Sequence, residues 1–162
     1  MARPNPLRTI MATPLPTRTE QRKLPYRPSL EEVIYTYNII NKYVFDNELK
    51  RPEIRLKTVT RAWGMCFGMT ELDQNTRSNC MIQLSDKWFC VQWMTNILAH
   101  EMAHQFQWDN ISPGREDEGK DWLMSHGPSF NRYRARMKEF DISLKVSHSK
   151  KRWFATQDLF LS

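Results

Sequence analysis

Apolar residues recur every three or four positions in three stretches of the chain, which predicts three helices. The first covers about 30–47 and begins after Ser29, whose hydroxyl can cap the helix, with acidic residues in its first turn. The second is predicted over about 87–108. The third is predicted over about 128–140, with Pro128 in its first turn.

Short alternating runs of apolar and polar residues lie between the first two helices and predict three or four strands. The runs cover 53–60, 63–70 and 80–84. Polar residues predict a turn over 73–79 and a surface loop over 109–125, where proline and glycine also occur. The pattern therefore predicts one helix, a small sheet of three or four strands and two further helices.

Composition divides the chain into three segments. Residues 1–28 are a basic, proline-rich leader, predicted to be flexible because it has little apolar surface to bury. Residues 29–142 hold the helix and strand patterns of one domain. Residues 143–162 form an extension whose aromatic side chains predict packing on that domain.

The net charge of +6 is concentrated in the leader, since residues 29–162 contribute only +1 of it. A basic tail is either a solvated segment or a non-specific contact for nucleic acid phosphates. No apolar run is long enough for a membrane span or for a secretory signal peptide. We therefore expect a cytoplasmic protein, in the host cytoplasm if it is viral.

Cysteine and tryptophan invite chemical roles that the sequence does not favour. The cysteines are odd in number and form no C-x-x-C pair, so buried, unreactive thiols are expected at Cys66, Cys80 and Cys90. The six tryptophans are expected in the core or in cleft walls rather than in stacking on nucleic acid bases. Trp122 is the best stacking candidate because it lies in the polar loop.

The strongest chemical signal is His100-Glu101-Met102-Ala103-His104, an H-E-x-x-H sequence within the second predicted helix. Residues four apart lie on one face of a helix, so both imidazoles can bind one Zn²⁺ ion. Glu101 is placed to accept a proton from a water molecule that the metal activates. The apolar residues of this helix form an arc on the other side, which leaves the histidines in need of a partner.

A catalytic zinc site needs a third protein ligand and one open position. One known arrangement has its third histidine six residues after the second one of H-E-x-x-H, but Asn110 occupies that position here. His126 is the favoured candidate, since Gly127 and a predicted helix follow it directly. A loop carboxylate is the alternative, with the candidates Glu116, Glu118 and Asp121. His148 lies among serines and lysines and is expected to be solvated.

Several segments together resemble the SprT-like (Spartan) family of zinc metallopeptidases. The closest similarity lies in HEMAHQFQW and SHGPSFNRYRARM, and it extends upstream to YVFDNELKRPEIRL, GMCFG and MIQLSDKW, over about residues 30–142. The resemblance implies a zincin-like α+β fold, Zn²⁺ as cofactor, the ligands His100, His104 and His126, and Glu101 as general base.

The resemblance also implies a substrate class, because active members of the family cleave proteins trapped on or bound tightly to DNA. The sequence thus favours a zinc-dependent endopeptidase with a protein substrate. The leader and the basic run from Lys145 to Arg152 are the candidates for DNA contact. The alternative from a different class is a non-proteolytic, zinc-containing module that binds nucleic acid.

Overall fold

The computed structural model of the chain describes residues 4–58, 62–68, 78–111 and 126–161, the last six of these by their backbone alone. The helices are α1 (Pro6–Met11), α2 (Arg18–Arg22), α3 (Leu30–Tyr43), α4 (Val91–Phe106), α5 (Arg134–Glu139) and α6 (Lys150–Leu161). The strands are β1 (Glu53–Leu56), β2 (Gly64–Gly68) and β3 (Cys80–Leu84). A turn of π-helix, Gln107–Ile111, continues α4. Among the described residues, no helix combines the length and apolar character needed to cross a bilayer.

The three strands form one mixed sheet in the order β1–β3–β2. Ile82 of the central strand β3 lies opposite Ile54 of the parallel strand β1 and opposite Cys66 of the antiparallel strand β2. These three side chains are buried and α4 packs against β2 and β3, so the core lies between the sheet and this helix. The arrangement confirms the predicted α+β class.

The first predicted helix, α3, ends at Tyr43, earlier than expected, because the chain then folds back. The Asn41 side chain donates to the Leu49 carbonyl at 2.8 Å and accepts from the Leu49 amide at 3.2 Å. Asp46 and Asn47 adopt left-handed backbone conformations, with φ of 54° and 62°. Asparagine and aspartate tolerate this conformation better than most residues, which allows the tight reversal.

The second predicted helix, α4, begins at Val91, later than expected, because the residues before it pair with the leader. Trp88 and Tyr26 exchange two backbone hydrogen bonds, of 2.9 and 3.2 Å. Every residue of α4 from Gln92 to Phe106 is buried. The helix therefore lies in the middle of the molecule, and its histidine face is covered as well as its apolar face.

The leader folds onto the domain, which contradicts the predicted flexibility of residues 1–28. Leu7 of α1 is fully buried in the core. Gln21 of α2 is also buried, and its side-chain oxygen accepts a hydrogen bond from Trp153 Nε1 at 2.9 Å. Composition gave the wrong answer here because a few well-placed side chains fill sites that the rest of the chain provides.

The third predicted helix begins only at Arg134, since residues 128–133 form tight turns. After α5 the chain crosses the domain and ends in α6. Leu144 and Phe154 of this last segment are buried in the core, at 2% and 5% exposure. The C-terminal segment thus contributes to the same core as the sheet and α4.

The cysteines and the described tryptophans contribute to packing. All three cysteines are free and buried. The neighbouring Cys80 side chain and burial raise the pKa of Cys66, and burial raises the pKa of Cys90 to about 11. Five tryptophans lie in the core or in the aromatic cluster around it: Trp63, Trp88, Trp93, Trp108 and Trp153. Trp122 lies outside the described residues.

Candidate metal centre

His100 and His104 lie one turn apart on α4, with ring centroids 5.0 Å from each other. His100 Nδ1 is 2.8 Å from the Lys145 carbonyl oxygen, and His104 Nδ1 is 2.8 Å from Gln107 Oε1. Both partners accept hydrogen bonds, so each Nδ1 carries the proton and each Nε2 keeps its lone pair. This is the tautomer in which a histidine binds a metal through Nε2.

His126 completes the group from a different part of the chain. Its ring centroid lies 5.6 Å from that of His100 and 5.0 Å from that of His104. One ligand atom from each of the three histidines can be chosen so that all lie within 4.8 Å of one another. The Asn131 side chain donates to the carbonyls of His126 and Gly127, both at 3.0 Å, which holds the turn.

Phe130 forms an apolar wall against all three imidazoles. Its ring centroid lies 4.9 Å from that of His100 and 4.8 Å from those of His104 and His126. The side chain is almost completely buried, at 1% exposure. A rigid apolar contact of this kind limits the rotations of the rings and excludes water from one side of the group.

Burial keeps the three imidazoles neutral. Desolvation lowers the pKa of His100 to about 3 and that of His104 to about 4. The pKa of His126 is also lowered by burial, although this residue is largely exposed. Because only neutral imidazole can bind a metal ion, the group is ready for binding without the loss of a proton.

Glu101 is buried beside the histidines, with 6% of its surface exposed. Its Oε1 lies 3.9 Å from His100 Nε2. Burial raises the pKa of its carboxyl group to about 8. A cation bound by the histidines would oppose that shift, because a nearby positive charge favours the carboxylate. The group can therefore exchange a proton near neutral pH, as a general base or acid must.

A cleft of about 350 Å³ runs over this part of α4. One wall comes from the residues at the start of β2, and the other comes from the segment 146–150, which leads into α6. The residues of α4 that line it are Ile97, His100 and Glu101. His100 and Glu101 thus face a space that can admit another molecule.

His148 is part of this cleft, which contradicts its predicted exposure to solvent. Its ring centroid lies 5.1 Å from that of His100 and 5.5 Å from the Trp93 ring. Burial, and then the charge of Lys145, lower its pKa to about 4. The prediction relied on polar neighbours in sequence, whereas the chain path brings residue 148 against α4. No local sequence pattern indicates that contact.

The donor set is compatible with a zinc ion. Three neutral imidazoles from two segments, with the Glu101 carboxyl group beside them, match the three protein ligands that many zinc sites have. The alternative ligands Glu116, Glu118 and Asp121 lie outside the described residues. Asn110, in the π-helical turn, is exposed.

An α+β domain with an H-E-x-x-H helix and a third histidine from a later segment defines a metallopeptidase-like protein. The chain matches the model of the SprT-like family over residues 34–149, and it belongs to that family. The match includes all three histidines of the group, Glu101 and His148. No curated protein matches the chain.

Proposed function

We propose that the chain is a zinc-dependent endopeptidase. The proposal is carried by the convergence of three neutral imidazoles beside the buried Glu101 carboxyl group, with His100 and Glu101 lining a cleft. Zinc sites of enzymes commonly have three protein ligands, so His100, His104 and His126 would leave the ion accessible to water or substrate. Membership of the SprT-like family supports the same class of activity.

The residues of the site have distinct roles in this proposal. Zinc, when bound, supplies a Lewis acid that acidifies water and polarises a carbonyl group. His100 and His104 would hold the ion through Nε2, and His126 would be the third ligand. Glu101 accepts the proton of the attacking water and returns it to the amine nitrogen as the C–N bond breaks. Its buried position favours the protonated form between these two transfers.

The variant Glu101→Gln tests the proposal because it removes the base and preserves the shape of the side chain. We expect unchanged zinc content by mass spectrometry and a fall of about 10²-fold or more in cleavage of an unfolded protein such as reduced casein. Glu139→Gln, on an exposed position of α5, is the matched control and should cleave at the wild-type rate. Wild-type cleavage by Glu101→Gln would exclude Glu101 as the base.

We further propose that the substrates include proteins bound or crosslinked to DNA. A basic surface supports this extension. Its residues are Arg18, Arg22 and Lys23, in and after α2, and Lys150, Lys151 and Arg152 of α6. The guanidinium groups of Arg18 and Arg22 lie 5.9 and 4.6 Å from the Phe154 ring centroid, so α2 sits against α6. Lys150 also lines the cleft, so one residue of the basic surface lies next to the proposed site.

Charge reversal tests the basic surface. The triple variant Lys23→Glu, Lys150→Glu and Lys151→Glu should bind a short DNA duplex more weakly, measured by fluorescence anisotropy. The slope of log affinity against log salt should fall by about 2–3, since each lost phosphate contact contributes about 0.9. The control variant reverses three exposed lysines elsewhere, Lys42, Lys57 and Lys138. Equal loss in both variants would remove the special role of the basic surface.

The alternative function is a non-proteolytic module that binds nucleic acid through the same basic surface. The two functions differ in the behaviour of the wild-type chain loaded with zinc. An endopeptidase should cleave casein or a DNA-bound protein and lose this activity in Glu101→Gln. A binding module should show DNA affinity without any cleavage, and Glu101→Gln should leave that affinity unchanged.

A further inference from the structure

The cleft contains polar side chains that the proposed reaction does not yet use. Besides His100 and Glu101, its lining includes His148, Ser149 and Lys150. Ser149 already has a structural role, because its hydroxyl accepts a hydrogen bond from the Arg152 amide at the start of α6. Lys150 is exposed and belongs to the basic surface. Of these three side chains, His148 is the remaining candidate for contact with a substrate.

The position of His148 is fixed by two rings. It meets His100 edge-on, at an interplanar angle of 82°, and Trp93 at 73°. Its main chain follows Lys145, whose carbonyl oxygen holds His100 Nδ1. Packing against these two α4 residues therefore holds the imidazole next to His100.

His148 also has an unsatisfied hydrogen-bonding group. Its Nε2 is buried and has no hydrogen-bond partner among the described residues. A buried polar atom without a partner costs free energy, and such atoms in a native structure call for an explanation. A ligand in the cleft can supply the missing partner after rotation of the ring about its Cβ–Cγ bond.

We propose that His148 contacts the substrate and donates a hydrogen bond to the oxygen of the peptide carbonyl under attack. This inference rests on the proposed peptidase function. The carbonyl oxygen gains negative charge as water adds to the carbon, so a donor held at that position stabilises the transition state more than the ground state. Packing against Trp93 and His100 keeps the imidazole beside the cleft, and rotation about its Cβ–Cγ bond brings Nε2 to the carbonyl oxygen of the substrate.

Two variants of His148 separate hydrogen bonding from packing. His148→Phe keeps an aromatic ring against Trp93 and His100 but removes the donor. His148→Gln removes the ring but retains an N–H group. We expect His148→Phe to lower kcat by about 10²-fold, the effect of losing one oxyanion donor, and His148→Gln to recover part of that loss. Zinc content and melting temperature should remain those of the wild type in His148→Phe.

Ser147→Ala is the matched control, since Ser147 is the neighbour of His148 on the same segment, is exposed and is not among the residues that line the cleft. It should leave kcat unchanged. Wild-type kcat in His148→Phe, with loss of zinc or stability in His148→Gln, would assign the residue a packing role alone and overturn the inference.

A binding measurement distinguishes failure of this inference from failure of the proposed function. The probe is a peptide phosphonate, whose tetrahedral oxygens resemble the attacked carbonyl, titrated calorimetrically into zinc-loaded protein. Binding about 10²-fold weaker in His148→Phe than in the wild type supports the hydrogen bond. Equal binding in both overturns the role of His148 and leaves the peptidase function intact. A wild type that neither binds the phosphonate nor cleaves protein refutes both.

Discussion

Hydrogen bonds to Nδ1 give His100 and His104 different kinds of support. His100 depends on a backbone carbonyl, that of Lys145, which no side-chain substitution at that position removes. His104 depends on the side chain of Gln107, which is buried and also donates to Ser129 Oγ at 3.0 Å. The position of His104 is therefore open to a direct mutational test.

Gln107→Ala should weaken zinc binding by about 10–100-fold, because His104 loses the partner that fixes its tautomer and orientation. Competition with a chromophoric chelator measures the change. Gln83→Ala, on β3 and away from the site, is the control and should bind zinc like the wild type. Unchanged affinity in Gln107→Ala would show that His104 is oriented by packing against Phe130 instead.

The residues of the site differ in how far the sequence could predict them. His100, Glu101 and His104 are local, since helical spacing alone places them together. His126 required a choice between a histidine and loop acids, and the structure places it against the other two. His148 could not be predicted, because its position depends on the path of the chain across α4 rather than on its neighbours in sequence.

Among the elements, the sequence predicted α3, the three strands and α4 but misplaced several ends. The α4 boundary was wrong because Trp88 pairs with Tyr26, a contact between distant segments. The predicted flexibility of the leader was wrong for a related reason. Its composition contains little apolar surface, yet Leu7 inserts fully into the core. Long-range contacts decided each of these cases, and periodicity does not report them.

Leu7→Ala tests whether the leader contributes to stability. We expect a loss of about 2–5 kcal/mol in the free energy of unfolding, the usual cost of truncating a buried leucine. Leu15→Ala is the matched control in the same leader, because Leu15 is 46% exposed, and it should change stability by no more than about 0.5 kcal/mol. Urea unfolding followed by tryptophan fluorescence measures both. Equally small changes in the free energy of unfolding in both variants would support a flexible leader instead.

At the scale of the whole molecule, the hydrophobic core is separate from the candidate metal ligands. Buried side chains extend from α1 through the sheet and α4 to α6. A chain of 162 residues buries enough surface to fold without a metal. This core is built from apolar side chains and not from the candidate metal ligands, so the fold should tolerate loss of an ion even though the proposed activity should not.

Removal of zinc should therefore lower the melting temperature without unfolding the protein at 25 °C. At free zinc about 100 times the dissociation constant, binding adds about 2.7 kcal/mol of stability. For a domain of this size that amounts to roughly 5–11 °C in melting temperature. Calorimetry with and without a chelator measures the shift, and circular dichroism checks the fold. Complete unfolding on chelation would show that the metal is structural.

His100 Nδ1 is hydrogen-bonded to the carbonyl of Lys145, which lies well after α4 in the sequence. Trp153 and Phe154, which pack on the core, lie later still in the sequence. A ribosome makes these residues well after it has made α4. Because synthesis runs from the N-terminus, the nascent chain carries the H-E-x-x-H sequence for some time before its supporting segment exists. We expect the histidines to bind metal poorly during that interval. The proposed peptidase should therefore gain activity only after this supporting segment has been made.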